Sequence, residues 1–205
     1  DTSVTLTAQP AAGQIFTGWS GDCTGSAGCT LSMSQDRNVA ATFQATPSYA
    51  LSVTRSGSGT VASTPAGINC GTDCSESYPS GTDVSLTATP ATGYAFSGWS
   101  GACTGTGVCN LTMAAAKSVT ATFKTLPKYT LNVRRSGSGT VTSAPKGITC
   151  GRDCTEAYYS GTVVTLNPVP AKGYKFAGWS GACTGTGTCT ITMSGAKTAT
   201  ATFSR

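Results

Sequence analysis

Tyr49–Phe123 aligns with Tyr129–Phe203 without a gap at an offset of 80, and 49 of the 75 positions are identical. Asp1–Phe43 aligns with Gly81–Phe123 at the same offset, so the chain reads as half a repeat followed by two complete ones. A chain written this way is a string of small units, each of which must assemble its own core. The organisation expected is a half-repeat at 1–43, a linker at 44–48, a complete repeat at 49–123, a linker at 124–128 and a complete repeat at 129–205. Each linker carries one proline, Pro47 or Pro127, and linkers this short restrict bending between modules.

Cysteine placement narrows the fold further. Each complete repeat has a Cys-x3-Cys pair (Cys70/Cys74, Cys150/Cys154) and a Cys-x5-Cys pair (Cys103/Cys109, Cys183/Cys189), whereas the half-repeat keeps only Cys23/Cys29. The truncated copy works like a deletion experiment. If the two pairs bridged one another, Cys23 and Cys29 would lack partners within their module; pairing inside each short loop leaves no cysteine unmatched. Loop-closure entropy assigns each such ring about 2 kcal/mol, which matters in modules with small cores. Zinc is the rival use of the thiols, but the half-repeat offers two ligands and the chain has no histidine to complete a tetrahedral site. Paired cysteines imply an oxidising compartment: periplasm, cell surface or outside the cell.

Period-two alternation runs through each module. Tyr49, Leu51 and Val53 alternate with small polar residues, Arg55–Gly59 supplies a turn, and Thr60–Ser63 is expected to return as the second strand of a hairpin. Further strands are marked by Val84/Leu86/Ala88, Leu111/Met113 and Val119/Ala121/Phe123, and the one helical candidate is a single turn at Met113–Lys117. The expectation is an all-β module of five or six short strands. All six Phe residues (Phe16, Phe43, Phe96, Phe123, Phe176, Phe203) fall at repeat-equivalent positions, as do Trp19, Trp99 and Trp179. Each Trp sits in a Gly-Trp-Ser-Gly string ahead of the Cys-x5-Cys loop. It is a candidate for two roles, a packing anchor beneath that loop or a platform that stacks on sugar rings.

Reactive constellations are scarce. Without histidine neither Ser-His-Asp nor Cys-His can form, and Gly98-Trp99-Ser100-Gly101 lacks the spacing of a nucleophile elbow. Among acids only Asp73/Asp153 and Glu76/Glu156 recur between the complete repeats. Asp73, inside Cys70–Cys74, is expected to form an Asx-turn, with a weak calcium site on Asp73, Glu76 and carbonyls as the lesser alternative. We therefore expect no catalytic residues, no metal and no cofactor. No run of eighteen apolar residues exists, so no membrane insertion is expected.

Charge is sparse, at 10% of residues, but polarised. Asp1–Phe43 carries one Arg against three Asp (−2), Tyr49–Phe123 two basic against three acidic residues (−1), and Tyr129–Phe203 seven against two (+5). That distribution suits head-to-tail self-association. The basic residues are scattered and not interleaved with aromatics, so nucleic acid is not an expected partner. The half-repeat, missing its first strands, is expected to expose an unpaired edge or an apolar face.

The strings Gly57–Val61 (GSGTV), Cys70–Cys74 (CGTDC), Gly81–Leu86 (GTDVSL), Gly93–Gly101 (GYAFSGWSG) and Thr120–Phe123 (TATF), repeated 80 residues later, resemble the bacterial divergent InlB B-repeat family over essentially the whole chain. The resemblance implies β-grasp-like tandem modules on large secreted or surface-anchored proteins, serving as spacers, stalks or adhesion segments, with no catalytic residues to carry over. Joined to the residues' own pattern, it gives an expected fold of tandem small all-β modules, β-grasp-like or small sandwiches, each stapled by local disulfides. The expected function is that of a non-catalytic extracellular structural repeat protein on a bacterial surface, a stalk, spacer or fibre-forming subunit. The alternative is a carbohydrate-binding or adhesin module using the Trp–disulfide corner on surface glycans or another cell-surface protein.

Overall fold

The computed structural model describes residues 2–205, and among them it contains strands, turns and no helix. The half-repeat supplies β1 (Ser3–Leu6), β2 (Gln14–Gly21), β3 (Cys29–Ser32) and β4 (Val39–Ala45). The first complete repeat supplies β5 (Ser48–Ser56), β6 (Gly59–Thr64), β7 (Asn69–Cys70), β8 (Ser75–Pro79), β9 (Asp83–Pro90), β10 (Tyr94–Gly101), β11 (Cys109–Thr112) and β12 (Lys117–Thr125). The second repeats the set as β13 (Lys128–Ser136), β14 (Gly139–Ala144), β15 (Thr149–Cys150), β16 (Thr155–Tyr159), β17 (Val163–Pro170), β18 (Lys175–Gly181), β19 (Cys189–Thr192) and β20 (Lys197–Ser204). A complete repeat thus has eight strands, not five or six. The one-turn helix expected at Met113–Lys117 is a bend leading into β12. The strands also run into the expected linkers, leaving only Thr46–Pro47 and Leu126–Pro127 between them.

Each complete repeat is a two-sheet sandwich. In the first, the orders are β10-β12-β5-β8 and β11-β9-β6-β7; in the second, β16-β13-β20-β18 and β15-β14-β17-β19. Alternation explains how the sheets meet. Leu131, Val133, Ala199, Ala201 and Phe203 point in from one sheet, Val141, Val164, Leu166 and Ile191 from the other, and all join a single buried core. Intervening Thr, Ser and Asn residues face out, as period two requires. By compactness the chain forms two units, Asp1–Ala91 with Phe96–Phe123, and Thr92–Ala95 with Lys124–Arg205.

Two features of this topology are not hairpin-like. First, β5 and β6 belong to different sheets, so the expected Arg55–Gly59 hairpin is instead an arch that carries the chain across the core. Glycine makes the arch possible. Gly57 has φ +84°, and a Cβ there would stand 2.0 Å from the Phe123 carbonyl oxygen, while a Cβ on Gly59 would stand 2.5 Å from the Phe123 ring. The arch therefore lies directly on Phe123, and on Phe203 in the second repeat. Second, the first and last strands of a repeat are parallel neighbours. β5 pairs β12 from Leu51↔Lys117 to Ser56↔Thr122, and β13 pairs β20 from Leu131↔Lys197 to Ser136↔Thr202.

The half-repeat retains only two ribbons, β1-β3 and β2-β4. Its apolar residues sit at the positions that form the complete core, yet Met33 is 44% exposed where Met113 and Met193 are at 0%, and Phe43 is 36% exposed where Phe123 and Phe203 are at 3% and 4%. Before Tyr49, among the described residues, only Cys29 is a buried hydrophobic residue. The exposed apolar face expected for this segment is present.

Candidate functional site

The corner repeated three times is built by glycine, tryptophan and a disulfide. In β18 the register against β20 shifts between Phe176 and Gly178, and in β2 it shifts against β4 between Phe16 and Gly18. This bulge lets Phe and Trp, three residues apart, face the same side of the sheet. Gly178 sits there with φ +144°, its counterpart Gly98 has φ +140°, and a Cβ on either would stand 3.1 Å from the carbonyl oxygen of Gly185 or Gly105. The backbone can therefore close on the loop. The Trp99 N–H donates to the Gly105 carbonyl at 2.7 Å, and its indole Nε1–H donates to the Gly107 carbonyl at 2.7 Å. Trp19 and Trp179 repeat both bonds.

Disulfides close these loops. Cys23–Cys29, Cys103–Cys109 and Cys183–Cys189 bridge the Cys-x5-Cys segments, Cys70–Cys74 and Cys150–Cys154 bridge the Cys-x3-Cys segments, and no described cysteine is free. Beneath each Trp lies an aromatic trio. The Phe96 and Trp99 centroids are 4.9 Å apart, and those of Phe96 and Phe123 are 5.6 Å apart, with closely similar spacings around Phe16 and Phe176. Trp99 and Trp179 are 6% and 5% exposed, which leaves little ring surface for a sugar to cover. Trp19 is half-buried. A shallow groove of about 250 Å³ beside Trp99, lined by Leu86, Ala88, Phe96 and Val108 with Thr87, Thr106 and Gly107, has no charged side chain.

The recurring acids serve the backbone. Asp73 Oδ1 accepts from the Ser75 N–H at 3.3 Å and Asp153 Oδ1 from the Thr155 N–H at 3.2 Å, the expected Asx-turns. Glu76 and Glu156 accept from the N–H of the next residue. Among the described residues, no group of three His, Cys, Asp or Glu side chains converges as a metal site would require. No helix there is long and apolar enough to cross a membrane.

Sequence reasoning missed a polar relay beneath the second sheet. The Ser143 and Tyr158 hydroxyls lie 2.8 Å apart, and Ser143 Oγ also accepts from the Ile148 N–H at 2.9 Å. The first complete repeat builds the same relay from Ser63, Tyr78 and Ile68. Burial pushes the Tyr158 phenol above the usual tyrosine range, the Ser143 hydrogen bond opposing it. The signal was in the repeat, since Ser63/Ser143 and Tyr78/Tyr158 coincide, but Ser and Tyr in β-rich chains usually face solvent.

One further place is concave and apolar. On the half-repeat a groove of about 270 Å³ is lined by Val4, Leu6, Leu31, Met33, Arg37 and Val39. Nearby, Arg37 pairs with Asp22 at 3.2 Å. The Asn38 N–H, with Arg37, holds the Asp22 carboxyl below its ordinary range.

Comparison with known proteins sets this geometry in context. The sequence pattern of the divergent InlB B-repeat domain matches residues 1–47, 49–127 and 129–205. No curated protein is significantly similar to the chain. Among solved structures, the pilus adhesin SpaC of Lactobacillus rhamnosus GG is 9% identical, with a TM-score of 0.35 over 98% of this chain and 43% of its own. The shaft pilin SpaA of the same organism is 9% identical, with a TM-score of 0.28 over 78% of this chain and 98% of its own. The Bacillus anthracis TIE protein is 9% identical, with a TM-score of 0.28 over 98% of this chain and 41% of its own. Likeness at that level carries no functional argument.

Proposed function

We propose that this chain, which belongs to the divergent InlB B-repeat family, is a non-catalytic extracellular spacer that bears tension along its length. The observation that carries this reading is the parallel pairing of β5 with β12 and of β13 with β20. The chain enters a complete repeat at the start of one strand of the pair and leaves at the end of the other. Pulling on the two ends drives these strands past each other, so their evenly spaced hydrogen bonds are loaded together rather than opened one at a time. The bridged loops add to this, because a closed ring of residues cannot be drawn out. The Trp and Phe residues belong to the same device as pegs that fix the loop to the sheet.

Single-molecule pulling on the full chain tests the proposal. Two distinct force peaks are expected, one per complete repeat, at forces well above those that unzip a hairpin, and the half-repeat should yield without a peak of that size. Reduction should lengthen the extension released by each event. Complete repeats that open smoothly at low force would sink the reading.

A further inference from the structure

Basic residues dispersed along the sequence of the second complete repeat meet at one end of it. Arg134 and Arg135 lie near the end of β13, Lys172 sits in the turn before β18, Lys175 opens β18 and Arg205 follows β20. The topology gathers them, because β20 lies between β13 and β18, with Arg134 beside Thr200 and Lys175 opposite Ser204. The glycine arch draws in the turn as well, since the Ala171 N–H donates to the Ser138 carbonyl at 3.1 Å. Arg135 donates to the Gly139 carbonyl at 2.6 Å, and the Arg205 guanidinium lies 5.6 Å from the centre of the Tyr174 ring. The acids of this repeat, Asp153 and Glu156, lie across β13 from β20, and each carboxylate accepts a nearby backbone N–H. Among the described residues the one ion pair is Arg37–Asp22, so none of these five cations is paired with a carboxylate. The equivalent positions of the first complete repeat, Thr54, Arg55, Thr92, Ala95 and Thr125, carry a single charge.

Alternation lays part of this cluster out as a track. Val133, Ala199, Ala201 and Phe203 are buried, so Arg134, Thr200, Thr202 and Ser204 face outward, and so does Lys175 opposite Ser204. Strand rise and strand spacing put the Arg134 and Lys175 Cα atoms roughly 16 Å apart. One small anion cannot span that distance. Hydroxyls fill the interval, from Thr200 with Ser180 beside it, through Thr202, to Ser204. We propose that this track binds an acidic polysaccharide, whose charged groups meet Arg134 and Lys175 while its sugar hydroxyls exchange hydrogen bonds with Thr200 and Thr202. Arg135, Lys172 and Arg205 extend the positive field around Lys175. Nucleic acid fits less well, because the face offers no open aromatic ring for a base: Trp179 is 5% exposed and Tyr174 lies against Arg205. A membrane fits less well, because the exposed apolar residues Val163 and Val169 belong to the opposite sheet. This inference stands independently of the tension-bearing reading, and the Trp corner takes no part in it.

Titration calorimetry of the full 205-residue chain with short chains of polygalacturonate or dextran sulfate tests this, with neutral dextran as the blank. At least one of the two acidic polymers should bind, dextran should not, and added salt should weaken the binding. Arg134→Gln combined with Lys175→Gln should weaken it about tenfold or more. Removing two charges at the other end of the repeat, by Lys128→Gln with Lys146→Gln, should change it by less than about twofold. Thr202→Val keeps every charge and should still weaken binding, by about threefold. Circular dichroism should be unchanged in all three variants. Absence of binding to both acidic polymers overturns the proposal, as does an unaltered affinity in Thr202→Val. Equal weakening by the two double variants would mean attraction to net charge alone. Inorganic phosphate, a DNA duplex or phosphatidylglycerol vesicles binding as tightly as the polysaccharide would put a small anion, nucleic acid or a membrane in its place. Each of these outcomes also overturns it.

Discussion

Residues 1–43 and 81–123 are two copies of one segment placed in different company. In the second copy β5–β8 lie against it, and Val84, Leu86, Met113, Val119, Ala121 and Phe123 are buried; in the first the matching residues are half-buried or exposed. What both keep is the corner. The Trp bonds to the loop carbonyls, the aromatic trio and the Cys-x5-Cys bridge are present in each. The corner is thus a local structure that survives without the sandwich, whereas the core is a joint product of both halves of a repeat.

The largest test of that difference is paired truncation. Phe123→Ala removes the ring under the glycine arch and should cost about 3–5 kcal/mol, while Phe43→Ala, with no arch above it, should cost well under half as much; chemical denaturation reads both. Gly59→Ala places a methyl group 2.5 Å from the Phe123 ring and should cost about 1–3 kcal/mol through overpacking. Opening bridges comes next. Replacing Cys103 and Cys109 by Ser should cost the first complete repeat about 2 kcal/mol. The same change at Cys23 and Cys29 should melt the half-repeat outright, because Cys29 is its buried anchor; amide exchange distinguishes the two. Equal tolerance in both copies would break the comparison.

Smaller effects sharpen it. Tyr158→Phe deletes a buried hydroxyl from the Ser143 relay and should cost about 1 kcal/mol. Because the folded-state phenol titrates above its unfolded value, the stability it supports is complete below the ordinary tyrosine pKa of 10.0 and is lost as pH rises through the raised one. Alkaline melting of the second complete repeat should therefore be less steep in the Phe variant. Smallest is Asp22→Ala, which gives the half-repeat the alanine found at Ala102 and Ala182. The carboxylate lies at the surface and its pKa is lowered, so any help it gives exists at neutral pH and disappears on acidification through that pKa. No measurable shift in melting temperature is expected at neutral pH.

Local pattern made much of this legible. Alternation located β5, β9 and β12, and the truncated copy paired the cysteines by elimination. What stayed hidden depends on distant partners or broken periods. Nothing in Arg55–Gly59 distinguishes a hairpin from an arch, because the choice depends on Phe123 filling the space beneath it. The strand at Tyr94–Gly101 escaped because Phe96 and Trp99 pack together at a spacing of three, which matches no strand period. The short β7 and β8 carry too few residues to show alternation, and the parallel bond between first and last strands leaves no local trace.

That bond also sets an order of events during biogenesis. Leu51 cannot take its place until Lys117 has emerged, and Leu131 must wait for Lys197. Such non-local closure is slow compared with adjoining ribbons. A nascent repeat should thus stay open until its final strand arrives, then lock in one step. The ribbons of residues 1–43, whose partners lie close in sequence, can form as soon as they appear.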